Sequence, residues 1–224
     1  LQDSYKSILE AFIHPGAANE VKVKIESIHS EYLEIENVKN KLSHLDSVLV
    51  APGFVERGIE GKIEAVRYAR ENKLPFFGIC LGMQMAVIEY SRNVLGIADS
   101  NSIEMDQKTL NPVISLMEDQ KNLMNMGGTM RLGAWDCELV GGKIKEIYGS
   151  NKISERHRHR YEYNNEYREQ LEGSGLKTTG INPESNLVET IEVEDHPWFI
   201  GVQYHPEYKS TVATPHPLFT SFVK

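Results

Sequence analysis

The sequence predicts a three-layer α/β domain built on a largely parallel central sheet with antiparallel additions. Two observations carry the parallel part. SVLVAPGF (47–54) and PFFGIC (75–80) are short continuous apolar runs, the pattern of strands buried on both faces, and each leads into a stretch of helical periodicity. Strand, helix, strand, helix in that order makes a βαβ unit. The third observation is the second half of the chain, where apolar and polar residues alternate between turn residues as in antiparallel pairs.

In chain order, residues 1–12 predict a helix, because Leu1, Tyr5, Ile8 and Phe12 fall on one stripe at spacings of three and four. Pro15-Gly16 breaks that pattern, and Val21, Val23 and Ile25 then alternate as in a strand over 21–30. After the 47–54 strand, residues 58–72 place Ile59, Ile63, Val66 and Ala69 on one helical face and charges on the other. The 75–80 strand passes directly into a helix over 81–96, with Leu81, Met85 and Ile88 inward and Gly96 as its stop. Residues 105–128 are the least structured stretch. Residues 131–144 read as antiparallel β structure with Gly141-Gly142 as a turn, and 163–176 as a helix closing in Gly-Ser-Gly. Residues 187–207 form a hairpin turning at Asp195-His196-Pro197, and PLFTSFVK makes one short terminal helix. With no repeat, low-complexity tract or linker, one domain covers 1–224.

Composition narrows the classes of function. A chain of 224 residues buries roughly 70% of its unfolded surface and needs neither a disulfide nor zinc to fold. Its two cysteines stand 57 positions apart with no C-x-x-C, which fits neither a disulfide scaffold nor a structural zinc site and makes a reducing compartment the default. With 24 Lys+Arg against 32 Asp+Glu the net charge is −8. That argues against a dedicated nucleic-acid binder and for small molecules or proteins as partners. No apolar run approaches the ~18 residues of a membrane span, and LQDSYKSILE is not a signal peptide, so a cytoplasmic location is expected.

The most informative segment is Gly78-Ile79-Cys80-Leu81-Gly82, set where a buried strand passes into a helix. A G-x-nucleophile-x-G sequence in that setting is a nucleophile elbow, whose glycines permit a crowded turn that pushes the middle side chain out above the sheet. A helix N-terminus there favours a thiolate. The bland alternative is a buried structural cysteine beside two packing glycines. Downstream, His205-Pro206-Glu207 follows FIGVQY, at the strand end where parallel sheets meet their ligands. A histidine within reach of Cys80 would take the thiol proton and later protonate a leaving amine, and Glu207 would hold its tautomer. A lone H-x-E also occurs in zinc deaminases, but the P-C-x-x-C they need is missing here. His157, His159 and His205 complete no recognisable ligand spacing, so no metal is expected. Cys137, in the alternating WDCEL, reads as a packing residue.

FFGICLGMQMAVIEYSRNVLG, NSIEM, MGGTMRLGA, ERHRHRYE and VQYHPEY occur in this order. With them the chain resembles the class I glutamine amidotransferase domain of the CTP synthase family over essentially its whole length. The first and last motifs are common to many class I amidotransferases, while GGTMRLGA and ERHRHRYE are particular to this family. The resemblance implies a flavodoxin-like fold and hydrolysis of L-glutamine to glutamate and ammonia. Cys80 is then the nucleophile that forms a γ-glutamyl thioester, His205 the acid/base and Glu207 its orienting carboxylate. The backbones of Leu81 and Gly53 would donate to the oxyanion. Gln84, Glu104 and Arg160 match positions that hold the α-amino and α-carboxylate ends of glutamine, an assignment that suits a zwitterion. RHRHR would be a solvated strand or loop with Arg160 turned inward. The oxyanion loop departs from the family pattern: P-G-G-F-G is replaced by Ala51-Pro52-Gly53-Phe54-Val55, which removes one N–H and one permissive glycine.

The resemblance further implies that this is the C-terminal part of a longer polypeptide, whose N-terminal synthetase domain is absent from this chain. That domain would use ATP and Mg²⁺ to aminate UTP to CTP, with GTP as allosteric activator and a homo-oligomer as the full enzyme. No cofactor is expected in 1–224, and no G-x-x-x-x-G-K-[ST] phosphate loop occurs there. Two rivals are a stand-alone γ-glutamyl hydrolase, opposed by ERHRHRYE and GGTMRLGA, and a catalytically dead regulatory module, supported only by Pro52 and Val55.

Overall fold

The computed structural model describes residues 5–53, 58–116 and 130–224. In chain order the elements are α1 (Lys6–Ala18), α2 (Val38–Leu42), β1 (Val48–Val50), α3 (Ile59–Glu71), β2 (Phe76–Ile79), α4 (Leu81–Asn93), β3 (Ser100–Ser102), β4 (Asn111–Ser115), β5 (Arg131–Leu139), α5 (Gly142–Tyr148), β6 (Lys152–His159), β7 (Glu162–Tyr163), α6 (Arg168–Gly173), β8 (Leu176–Ile181), β9 (Val188–Val193), β10 (Phe199–Val202) and α7 (Pro217–Val223). A seven-stranded sheet runs β1-β2-β10-β9-β8-β5-β6, and a small sheet runs β3-β4-β7. In the large sheet β2 pairs parallel with β1 and with β10. Its other pairings are antiparallel, so the antiparallel additions are the more extensive part.

Three layers follow from the alternation of side chains in strands that are apolar throughout. Phe76 and Phe199 stack at 4.3 Å on the face covered by α3 and α4. Phe77, Ile79, Ile200 and Val202 face the other way, toward α1 and α7, where Phe77 meets Phe219 edge-on at 5.4 Å. Helix α4 is buried on every side from Leu81 to Ser91. Its closest approach is made through glycines. A Cβ on Gly78 would stand 2.7 Å from the Gly82 carbonyl carbon, and one on Gly201, the register partner of Gly78, 3.1 Å from Met83 Cγ of α4. Glu89, fully buried on α4, is gripped by the Arg70 guanidinium of α3 at 2.7–3.1 Å.

Several expectations change. Residues 21–30 form no strand: Val21 and Ile25 are 48% and 41% exposed, and among the described residues the segment has no sheet partner to accept its backbone. Pro15-Gly16 does not end the first helix but lies inside α1, where burial of Ile8, Ala11, Phe12 and Pro15 outweighs one missing N–H. The predicted start at 1–4, Leu1 included, lies outside the described residues. Gly141-Gly142 is not a hairpin turn. It opens α5, whose first N–H groups, Lys143 and Ile144, donate to the Glu192 carboxylate at 2.9 Å, and the antiparallel partner of β5 arrives only afterwards, as β6. The helix expected over 163–176 shrinks to α6, because Tyr163 is taken by β7 and residues 165–167 make a 3₁₀ turn. Part of 105–128 is the strand β4, and 117–129 lies outside the described residues. The 187–207 hairpin and the terminal helix form as expected. No helix among the described residues is long and apolar enough to cross a membrane.

Candidate active site

Neighbouring parallel strands end on the same edge of a sheet, and here that edge collects three of the singled-out segments. Gly53 follows β1, Cys80 follows β2 and His205 follows β10. Cys80 has φ 52° and ψ −103°, a left-handed conformation that costs an L-residue energy and marks the elbow. It is clamped from both sides: its N–H donates to Val202 O at 2.7 Å and its carbonyl accepts from Gln84 N at 3.2 Å. The glycines at 78 and 82 have no positive φ; they serve close approach, and the strain sits on the cysteine itself.

His205 Nδ1 and Glu207 Oε1 are 2.7 Å apart, both groups almost fully buried. The Tyr208 ring stacks on the imidazole at 5.2 Å and 18°. Burial alone would pull the imidazole pKa down, but the neighbouring Cys80 and Glu207 outweigh it and raise it to about 10. By distance and angle, the buried His205 Nε2 makes no hydrogen bond among the described residues.

Cys80 opens on a cavity of about 160 Å³. Of the residues singled out from sequence, Gly53, Leu81, Gln84, Glu104 and Arg160 line it together with Cys80, and Met130, Arg158, His159 and Tyr161 complete the wall. The wall is assembled from distant pieces: Glu104 follows β3, and Arg160 and Tyr161 join β6 to β7 across the two sheets. Burial pushes the Glu104 carboxyl up, and the Arg160 charge partly offsets it. Near Gly53 stands Lys62 of α3, whose ammonium burial pushes down. Pro52 is described, whereas Phe54 and Val55 lie outside the described residues.

The RHRHR segment is β6 running out of the sheet, with Arg156, Arg158 and Arg160 on one face and His157 and His159 buried on the other. The two imidazoles bond to each other at 2.8 Å instead of converging on a common point. Burial, then the Arg131 charge, lowers both, His159 to about 3. Among the described residues no group of three or more His, Cys, Asp or Glu is arranged to hold a metal ion. Arg131 of β5 is buried with Glu189 of β9, to which it donates, and Glu162 of β7 at 3.6 Å. Neither Arg131, which lies within MGGTMRLGA, nor Gln203, which lies within VQYHPEY, is singled out by the sequence. Cys137 is buried, as its strand position suggested.

A family model for class I glutamine amidotransferases matches residues 1–224. The chain belongs to the class I glutamine amidotransferases. This amidotransferase domain is 71% identical to the CTP synthase of Christiangramia forsetii over 225 residues, which cover 100% of this chain and 41% of that one. It is 67% identical to the CTP synthase of Flavobacterium johnsoniae, with 100% and 42% covered. The chain thus spans about two fifths of the length of these curated relatives. The glutaminase domain of Trypanosoma brucei CTPS, solved with bound acivicin, matches with a TM-score of 0.94 at 39% identity, covering 99% of this chain and 87% of that one. The amidotransferase domain is therefore of the CTP synthase type, and the resemblance carried by its motifs is borne out.

Proposed function

We propose that this domain hydrolyses L-glutamine to glutamate and ammonia through a thioester on Cys80. The observation that supports this reading best is the strained Cys80 beside the His205–Glu207 pair, opening on a cavity that carries one carboxylate, Glu104, and one guanidinium, Arg160. A free amino acid has a cation and an anion at one end, and those two groups answer them. Gln84 adds an amide to the same wall.

In the proposed reaction Sγ of Cys80, its proton held by His205, attacks the side-chain amide carbon of glutamine. The C=O electron pair moves onto oxygen, where the N–H groups of Leu81 and Gly53 receive it. The His205 imidazolium gives its proton to the amide nitrogen, the C–N bond breaks and ammonia leaves. Water then gives a proton to His205 and its oxygen attacks the thioester carbon, so that glutamate departs and the thiol is restored. Glu207 keeps the imidazole oriented, and charged until it gives up that proton. In the whole protein we propose that the ammonia passes to a synthetase domain on the same polypeptide, where ATP and Mg²⁺ drive amination of UTP to CTP. There GTP would act as activator, and the whole protein would be a cytoplasmic homo-oligomer.

The test is ammonia release from glutamine, alongside intact mass after exposure to a glutamine-like electrophile. Cys80→Ala is expected to abolish both. A Cys80→Ala chain that still releases ammonia would overturn the reading.

A further inference from the structure

Behind Cys80 runs a chain of amides. Gln203, one residue beyond β10, is completely buried and clamped to β9 by its own N–H, which donates to Glu189 O at 2.8 Å. Its Nε2 lies 3.8 Å from Cys80 Sγ, within reach of an N–H donor to the larger sulfur atom. Its Oε1 lies 3.2 Å from Gln84 Nε2, and that same Nε2 donates to the Tyr161 carbonyl at 3.0 Å.

The orientation of both amides follows from the far end of the chain. A backbone carbonyl can only accept, so the Gln84 NH₂ faces Tyr161. The same NH₂ faces Gln203, which must therefore present its oxygen there. The Gln203 NH₂ is left for the sulfur. The contact is thus a donor aimed at Sγ, set by hydrogen-bond direction across three residues.

We propose that Gln203 is a further catalytic residue, whose amide N–H holds the Cys80 sulfur in its attacking position and ties it to the Gln84–Tyr161 wall of the glutamine cavity. This rests on the glutaminase reading above. Val202 O, at the end of β10, already holds the Cys80 backbone, so β10 and the residue after it grip the nucleophile at main chain and side chain alike. An amide has no charge to titrate, so this hold works at any pH at which the fold stands. Aiming the attacking atom is worth much in rate, because reaction depends steeply on approach geometry.

Gln203→Met keeps length and volume but has no donor, and Gln203→Asn keeps an amide one methylene short of the sulfur. The experiment compares both with the unsubstituted chain by the rate of Cys80 alkylation with iodoacetamide, read by intact mass with Cys80→Ala as blank, and by kcat and KM for glutamine. Thermal unfolding verifies that the variants are folded. The expected result is alkylation and kcat each reduced about tenfold, the loss of one hydrogen bond to a charge-bearing acceptor, with KM unchanged. A folded variant with undiminished alkylation and kcat would overturn the proposal. So would a rise in KM alone, which would make Gln203 a support for Gln84. If the unsubstituted chain releases no ammonia, the glutaminase reading fails, and the alkylation rates still decide the Gln203 contact.

Discussion

Gly82→Ala pits two opposing effects against each other at the elbow. In an open helix interior, alanine in place of glycine gains about 0.5–1 kcal/mol of backbone entropy. At Gly82 the new Cβ would stand 3.0 Å from the Val50 carbonyl carbon, 3.3 Å from Val50 Cβ and closer still to the Val50 oxygen. These atoms belong to β1, whose Val50 is held in parallel register with Gly78, so they cannot rotate aside. Relief requires the first turn of α4 to lift by roughly 1 Å, and overpacking of that kind costs about 1–3 kcal/mol. The clash wins, and a net loss of about 1–2 kcal/mol lowers Tm by about 2–8 °C for a chain of this size. The chemistry suffers more. Cys80 and Leu81 ride on that turn, and a misplacement of about 1 Å is worth about 100-fold in rate. Glutaminase rate and thermal unfolding are measured together, with Gly173→Ala as control. Gly173 ends α6 with no described atom within 4 Å of its missing Cβ, so its substitution is expected to leave activity unchanged and stability equal or up to about 1 kcal/mol higher. A Gly82→Ala chain that melts at or above the unsubstituted protein and keeps full activity would refute the close-approach argument.

Arg70→Ala strands the fully buried Glu89 carboxylate and is expected to cost about 3–5 kcal/mol in urea unfolding. Arg70→Met combined with Glu89→Leu is expected to recover most of that loss, because no uncompensated charge is left behind. Glu207→Gln removes one of the two groups that hold the His205 proton, so the alkaline limb of the glutaminase pH profile, near pH 10 from His205, is expected to move to lower pH; an unmoved limb would separate Glu207 from His205. His159 is lowered from 6.5 to about 3, so the unfolded chain takes up a proton that the fold refuses. Stability is therefore lost as pH falls below about 6.5, at up to about 1.4 kcal/mol per pH unit. His159→Asn is expected to make that acid limb shallower, while His157, also lowered by burial, keeps its own share in the same sense. The difference between the two chains is the readout, since burial raises the neighbouring Glu162 and Glu189 carboxyls and they act in the opposite sense.

How much was legible in the sequence depended on the range of the interaction behind each feature. The strands at 76–79 and 48–50, helix α4 and the elbow between them were readable because each depends on residues within a few positions: apolar runs, a 3.6-residue stripe, two glycines beside a cysteine. The 21–30 segment alternates clearly yet is no strand, because a strand exists only when a partner accepts its backbone and among the described residues none does. Pro15-Gly16 misled for the converse reason. A buried stripe that packs Phe12 against Phe219 holds the helix through a residue that locally opposes it.

By itself the sequence determined that an α/β domain would present a cysteine at a strand-to-helix turn, and its motifs named the family. These are properties of short segments, decided by sterics and hydrophobic periodicity within one element. Only the tertiary structure decided that Glu104, Arg160 and Gln84 reach the same cavity as Cys80, that Arg131 lies buried with Glu189 and Glu162, and that Gln203 points a donor at the sulfur. Burial, and with it the strength of every charge and hydrogen bond at the site, is a property of neighbours that sequence spacing keeps far apart.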